Sequence, residues 1–140
     1  MRTDKIKKVI TPELYHDFIQ QIDLKSIVMT EGKFTLNDIK LHKLRIEVVE
    51  NHKFKCIESG FVVITSFTLS GKSDDHCVPL KIECTYQLYY LSEKKMTREI
   101  FDIFSQSSLP LNIWPYFREF VHDCSSKMGI PALVLPLVKR

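Results

Sequence analysis

From Leu80 to Tyr90, the residues Leu80, Ile82, Cys84, Tyr86, Leu88 and Tyr90 take every second position, with Lys81, Glu83, Thr85 and Gln87 between them. Side chains alternate across a strand with period two but wind around a helix with period 3.6. This run therefore folds as a half-buried β-strand whose apolar face needs a covering layer. Tyr89 and Leu91 break the alternation, so the end of the strand is apolar on both faces.

The neighbouring segments share the period. Leu44 to Val48 alternates, and Gly60 to Leu69 is rich in Phe, Val, Ile and Thr before the polar turn Ser70-Gly71-Lys72-Ser73-Asp74. Leu24 to Thr30 reads as a further strand ended by Glu31-Gly32. The connections are too short for parallel crossovers, so the strands, within roughly 24–91, form an antiparallel meander.

Helical spacing appears at both ends. Thr11-Pro12-Glu13 offers a hydroxyl cap, a first-turn proline and a first-turn acid, and Leu14, Phe18, Ile19 and Ile22 follow, predicting a helix over 12–22. Met96, Ile100, Ile103 and Phe104 predict another over 96–107, ahead of a loop from Ser105 to Pro110. Asn112 can cap a longer helix over 113–128, with Pro115 in its first turn, a stripe of Phe117, Phe120, Val121, Cys124 and Met128, and Gly129 as a left-handed stop. An extended tail over 130–138 completes the reading. Strands followed by helices give the α+β class, and 140 residues form one domain, 1–140.

Chemistry is sparse. Cys56, Cys77, Cys84 and Cys124 lack C-x-x-C spacing and read as free thiols of a reducing compartment. His76 and Cys77 with Asp74 and Asp75 lack paired zinc-ligand spacing, and His122-Asp123-Cys124 are helix neighbours that do not face one another. No glycine-rich phosphate loop is present. The expectation is a protein with no catalytic residues, no metal and no cofactor. The net charge of +3 gathers at the ends, in Arg2, Lys5, Lys7, Lys8, Lys139 and Arg140, which reads as solvated termini rather than a nucleic-acid surface. No signal peptide and no apolar stretch of the roughly 20 residues a membrane span needs is visible, so the expectation is a cytoplasmic protein without membrane insertion.

Apolar surface is in surplus. Trp114, Tyr116, Phe117 and Phe120 surround more than one side of a helix, and Tyr86-Gln87-Leu88-Tyr89-Tyr90-Leu91 is apolar on both faces. A second helix layer, a partner subunit or a bound ligand must cover it. Tyr86, Tyr89, Tyr90, Trp114 and Tyr116 are the candidate client-binding residues on that ground.

The C-terminal part carries a family resemblance. Asn112-Ile113-Trp114-Pro115-Tyr116-Phe117-Arg118-Glu119 resembles the N-[IV]-x-P-Y-x-R-E signature of the SecB chaperones. Gly129-Ile130-Pro131-Ala132-Leu133-Val134-Leu135-Pro136 is similar to their G-x-P-x-L-x-L-x-P stretch, at the matching distance. The matched positions Asn112, Pro115, Tyr116, Arg118, Glu119, Gly129, Pro131, Leu133 and Leu135 are read as structural. Pro115 would start its helix, and Arg118 with Glu119 would form a local polar network. The resemblance implies a four-stranded antiparallel sheet with helices on one side, assembled as a homotetramer from two dimers. It also implies ATP-independent binding of unfolded polypeptides in apolar grooves, the clients being exported preproteins or an antitoxin of a toxin–antitoxin system.

SecB proper is acidic and presents carboxylates to the SecA motor, and export-type members carry a last helix and a metal-binding tail. This chain is basic, stops four residues past Pro136 and adds a helix over 12–22. SecA is therefore a doubtful partner, and an antitoxin role is expected ahead of general protein transport. Two other readings stay open: an interaction module that keeps the fold without holding clients, and a nucleic-acid-binding domain using the basic ends or Lys53-Phe54-Lys55.

Overall fold

In a computed structural model describing residues 10–37, 44–73 and 77–130, the chain runs α1 (Pro12–Gln21), β1 (Asp23–Leu36), β2 (Arg45–Ile57), β3 (Gly60–Lys72), β4 (Leu80–Leu91), α2 (Arg98–Phe104) and α3 (Ser108–Met128). The basic residues of both termini, the Asp74-Asp75-His76 turn and the tail carrying Pro131, Leu133 and Leu135 lie outside the described residues.

The four strands form one antiparallel sheet in the order β1-β4-β3-β2. The meander holds from β2 through β3 to β4, and β1 lies beyond β4 on the opposite edge from β2. That puts the two most apolar strands at the centre. On β3 and β4 the alternation is realised: Phe61, Val63, Phe67 and Leu69 are buried on one face beside Leu80, Ile82, Cys84, Tyr86, Leu88 and Tyr90.

All three helices cover that face. Phe18 of α1 and Phe104 of α2 pack on Phe61, at ring-centroid distances of 6.1 and 5.9 Å. Phe117 of α3 stacks on Phe67 at 4.3 Å. Interlocked rings of this kind add to the burial of their area. Gly60 opens β3 against the end of β4, where an added Cβ would sit 1.9 Å from the Tyr90 carbonyl oxygen, so only glycine fits.

Several boundaries differ from the sequence reading. β1 does not stop at Glu31-Gly32 but pairs with β4 out to Leu36. α2 spans Arg98–Phe104, because Thr97 caps it by accepting from the Ile100 amide. α3 starts at Ser108, not after Asn112. Pro110 takes the first turn, where a missing N–H costs nothing. Pro115 consequently lies inside the helix and deprives the Leu111 carbonyl of its intrahelical donor. Both residues are exposed, so water can serve that carbonyl. Asn112 is not a cap. Its side-chain amide donates to the Tyr90 hydroxyl at 2.8 Å and fastens α3 to β4.

The expected helix ends are present where local chemistry fixes them. Thr11 caps α1 by accepting from the Leu14 amide. Gly129 ends α3 at φ 69°, and the Ile130 and Gly129 amides reach back to the Ser125 and Ser126 carbonyls. Gln21 closes α1 onto the β4–α2 connection, its side-chain Oε1 accepting from the Glu93 and Lys94 amides at 2.8 and 3.3 Å.

Candidate functional site: an apolar groove between strand and helix

Among the described residues, α3 lies over β3 and β4 and leaves the β1 side of the helix-facing surface partly uncovered. The result is an open groove of about 540 Å³. Ile27, Met29 and Tyr86 form its floor, and Tyr116 and Phe120 of α3 form its wall. Glu119, His122 and Asp123 stand along the rim. A second hollow of about 330 Å³ at Pro115, Tyr116 and Glu119 continues past the wall. Tyr116, 47% exposed, belongs to both.

The floor depends on two irregularities in β1. The pairing with β4 shifts between Leu24 and Ser26 and again between Met29 and Glu31, leaving Lys25 and Thr30 as extra residues. An extra residue resets the alternation of faces. Ile27 and Met29 lie between the two bulges, paired with Leu88 and Tyr86, and so face the groove. Just past the second bulge, an added Cβ on Gly32 would lie 2.7 Å from the Met29 sulfur and 3.1 Å from the Phe120 ring. The absent side chain lets wall and floor meet there.

The structure sorts the five tyrosine and tryptophan candidates. Tyr86 and Tyr116 come together in the groove, with the Tyr86 hydroxyl donating to the Tyr116 carbonyl at 3.2 Å. Trp114 is half-buried against Phe67 and Phe117. Tyr90 is 1% exposed, stacked on Phe61, and offers no surface to a ligand. Tyr89 lies on the opposite face of the sheet, its hydroxyl hydrogen-bonded to that of Ser59 at 2.6 Å. Ile27, Met29 and Phe120 were not among the candidates. Phe120 was readable from the apolar stripe of its helix, but Ile27 and Met29 depend on bulges that no residue pattern announces.

The groove is apolar with a polar lip. Asp123 is held by Lys127 one turn on, at 3.2 Å, while His122 and Glu119 are exposed. Cys124, next in sequence, points the other way into the core, so His122, Asp123 and Cys124 do not share a site. Burial pushes the Cys84 thiol up to about 12 and the Cys124 thiol up to about 11, and raises the Tyr86 phenol well above its ordinary range. Thiols held neutral in this way are poor nucleophiles. Among the described residues no cluster of three or more His, Cys, Asp or Glu side chains could hold a metal ion. No helix among them is long and apolar enough to cross a membrane.

The site is thus an apolar groove at the helix margin of a one-layer sheet that carries its helices on one face. No family model and no curated protein matches the sequence. Among solved structures, a SecB-like chaperone from Mycobacterium tuberculosis, in complex with a ChAD peptide from the HigA1 antitoxin, is similar with a TM-score of 0.73. The match covers 87% of this chain and 94% of that one at 16% identity. A protein of unknown function from Streptococcus agalactiae is similar with a TM-score of 0.51 at 7% identity, over 83% of this chain and 97% of that one. The fold of the chain is SecB-like.

Proposed function

We propose that this protein is an ATP-independent, SecB-like holding chaperone that binds non-native polypeptide in the groove between β1 and α3. The observation that carries the reading is the groove itself, an open apolar trough with Met29 on its floor and Tyr116 and Phe120 on its wall. It occurs in a fold shared with a chaperone solved with an antitoxin peptide bound. Aromatic and methionine side chains suit such a site: they give contact area at low entropy cost and adapt to differing clients.

An antitoxin is the favoured client and exported preproteins the second, with a cytoplasmic homotetramer as the working form. The basic balance of the chain favours a role without SecA. The role proposed for Arg118 and Glu119 is to position α3; Arg118 is half-buried there and Glu119 borders the groove.

The test is suppression of aggregation of a chemically unfolded client at stoichiometric amounts without nucleotide, alongside a Tyr116→Ser variant. Suppression that weakens in the variant supports the reading. A purified, folded protein that never slows aggregation overturns it. A pull-down from the native host then separates the clients, one small partner indicating an antitoxin and many precursors indicating export.

A further inference from the structure

The helices cover one face of the sheet, and no element among the described residues covers the other. Its residues follow from the register. Toward the β2–β3 turn lie Leu91, Tyr89 and Val62, then Ile64 and Val28 on either side of the exposed Gln87, with Ile57 closing the corner. Val28 is 53% exposed and Ile57 37%, and the rest are half-buried by their neighbours alone. Toward the other end the same face is mostly polar, with Glu83 between Lys33 and Lys81, Glu47 on Lys72, and Ser66, Thr68 and Ser70 in the middle; Val49, beside Thr68 on β2, is its one large apolar residue among the described residues.

Charge differs between the two halves. Lysines of the polar half are paired with carboxylates. Lys53 and Lys55, which flank the apolar half from β2, are exposed and make no ion pair among the described residues. Asp23, at the far side, is taken by Lys25 at 3.0 Å. Glu58 belongs to the turn beyond Ile57. The apolar half is therefore bordered on its β2 side by two exposed cations without an ion pair among the described residues.

We propose that this half of the face is a second docking surface, for a protein segment that presents apolar side chains bordered by carboxylates. Charge selects that occupant. A membrane surface is recognised by clusters of 4–8 basic residues, and here there are two. A second copy would have to bring carboxylates to Lys53 and Lys55, and self-association in the test reads out that alternative. An acidic, apolar segment satisfies both the patch and its lysines. This surface lies on the opposite side of the sheet from the groove and does not depend on the groove's function.

The test uses the full chain and a labelled synthetic amphipathic peptide whose leucine–phenylalanine face is bordered by glutamates. Fluorescence anisotropy is expected to show binding that weakens with salt, and weakens about tenfold or more in a Lys53→Glu/Lys55→Glu variant. Ile64→Glu is expected to abolish it, and a peptide with lysines replacing the glutamates is expected not to bind. NMR shift mapping should move Val62, Ile64 and Tyr89. Equal binding by all variants, or shifts confined to Met29, Tyr116 and Phe120, overturns the proposal. So does binding of phosphatidylserine vesicles in place of the peptide, or self-association that Ile64→Glu removes. Client-aggregation assays on the same variants are expected to match the unsubstituted protein, so failure here and failure of the groove are read separately.

Discussion

The Tyr86 hydroxyl on β4 donates a hydrogen bond of 3.2 Å to the backbone carbonyl of Tyr116 on α3. One tyrosine thus sits under the groove as floor and holds in place the turn of helix that presents the other as wall. Tyr86 is 3% exposed, Tyr116 47%. The first is built for rigidity and the second for contact.

That division predicts opposite phenotypes. Tyr86→Phe removes a buried hydrogen bond while keeping the ring, so it should cost about 1 kcal/mol of stability, visible as a lower melting temperature. Tyr116→Ser removes an exposed ring and should leave stability within about 0.5 kcal/mol. Client holding should weaken several-fold in Tyr116→Ser and less in Tyr86→Phe. A Tyr116→Ser protein that melts normally and holds clients normally would remove Tyr116 from the site.

Gly32 gives a second handle on the groove. A methyl group there would meet the Met29 sulfur at 2.7 Å and the Phe120 ring at 3.1 Å. Met29 is flexible and 38% exposed, so it can swing aside and the fold should survive Gly32→Ala with a small change in melting temperature. Met29 would swing into the groove. The expected result is altered client affinity at nearly constant stability, read by titrating client against the folded variant. Unchanged affinity would show that the Met29–Phe120 junction does not shape the site.

How much of this was legible in the sequence depends on where local pattern and tertiary structure agree. β4 was readable residue by residue because its buried face alternates without interruption. Thr11 and Gly129 were readable because capping is local chemistry. β1 was not, because the extra residues Lys25 and Thr30 scramble its alternation and Ile27 and Met29 reach the groove only through those bulges. Pro115 misled for a related reason: a proline favours the first helical turn, yet α3 has Pro110 there and tolerates Pro115 at its exposed side. Tyr90 looked like surplus apolar surface until α2 and α3 supplied Phe104 and Asn112 to cover it.

Thiol accessibility separates the four cysteines. Cys77 is exposed and Cys56 half-buried, its thiol directed to the Met96 carbonyl at 3.4 Å, whereas Cys84 and Cys124 are buried under α3. At mildly alkaline pH a thiol-specific reagent should modify Cys77 quickly, Cys56 slowly, and Cys84 and Cys124 only when the protein unfolds. Mass spectrometry of the labelled peptides gives the order. Early modification of Cys124 would mean that α3 opens from the sheet in the native state.

The same buried groups set an alkaline limit on stability. Burial raises Cys84 from an ordinary 9.0 to about 12, Cys124 from 9.0 to about 11 and Tyr90 from 10.0 to about 12. Each is held protonated in the folded chain and ionises more readily once unfolded, so above pH 9 the unfolded state binds fewer protons than the native one. Stability then falls as pH rises. The contribution is fully present below pH 9 and is lost progressively between about 9 and 12. Urea melts across this range should show a steepening decline from pH 9 upward. In Cys84→Ala the protein should begin less stable because of the small cavity, yet decline with a shallower slope, since one group that drives the loss is gone. A slope unchanged by the substitution would mean that Cys84 ionises in the folded state as easily as in the unfolded one, and that the sheet–helix interface around it admits water.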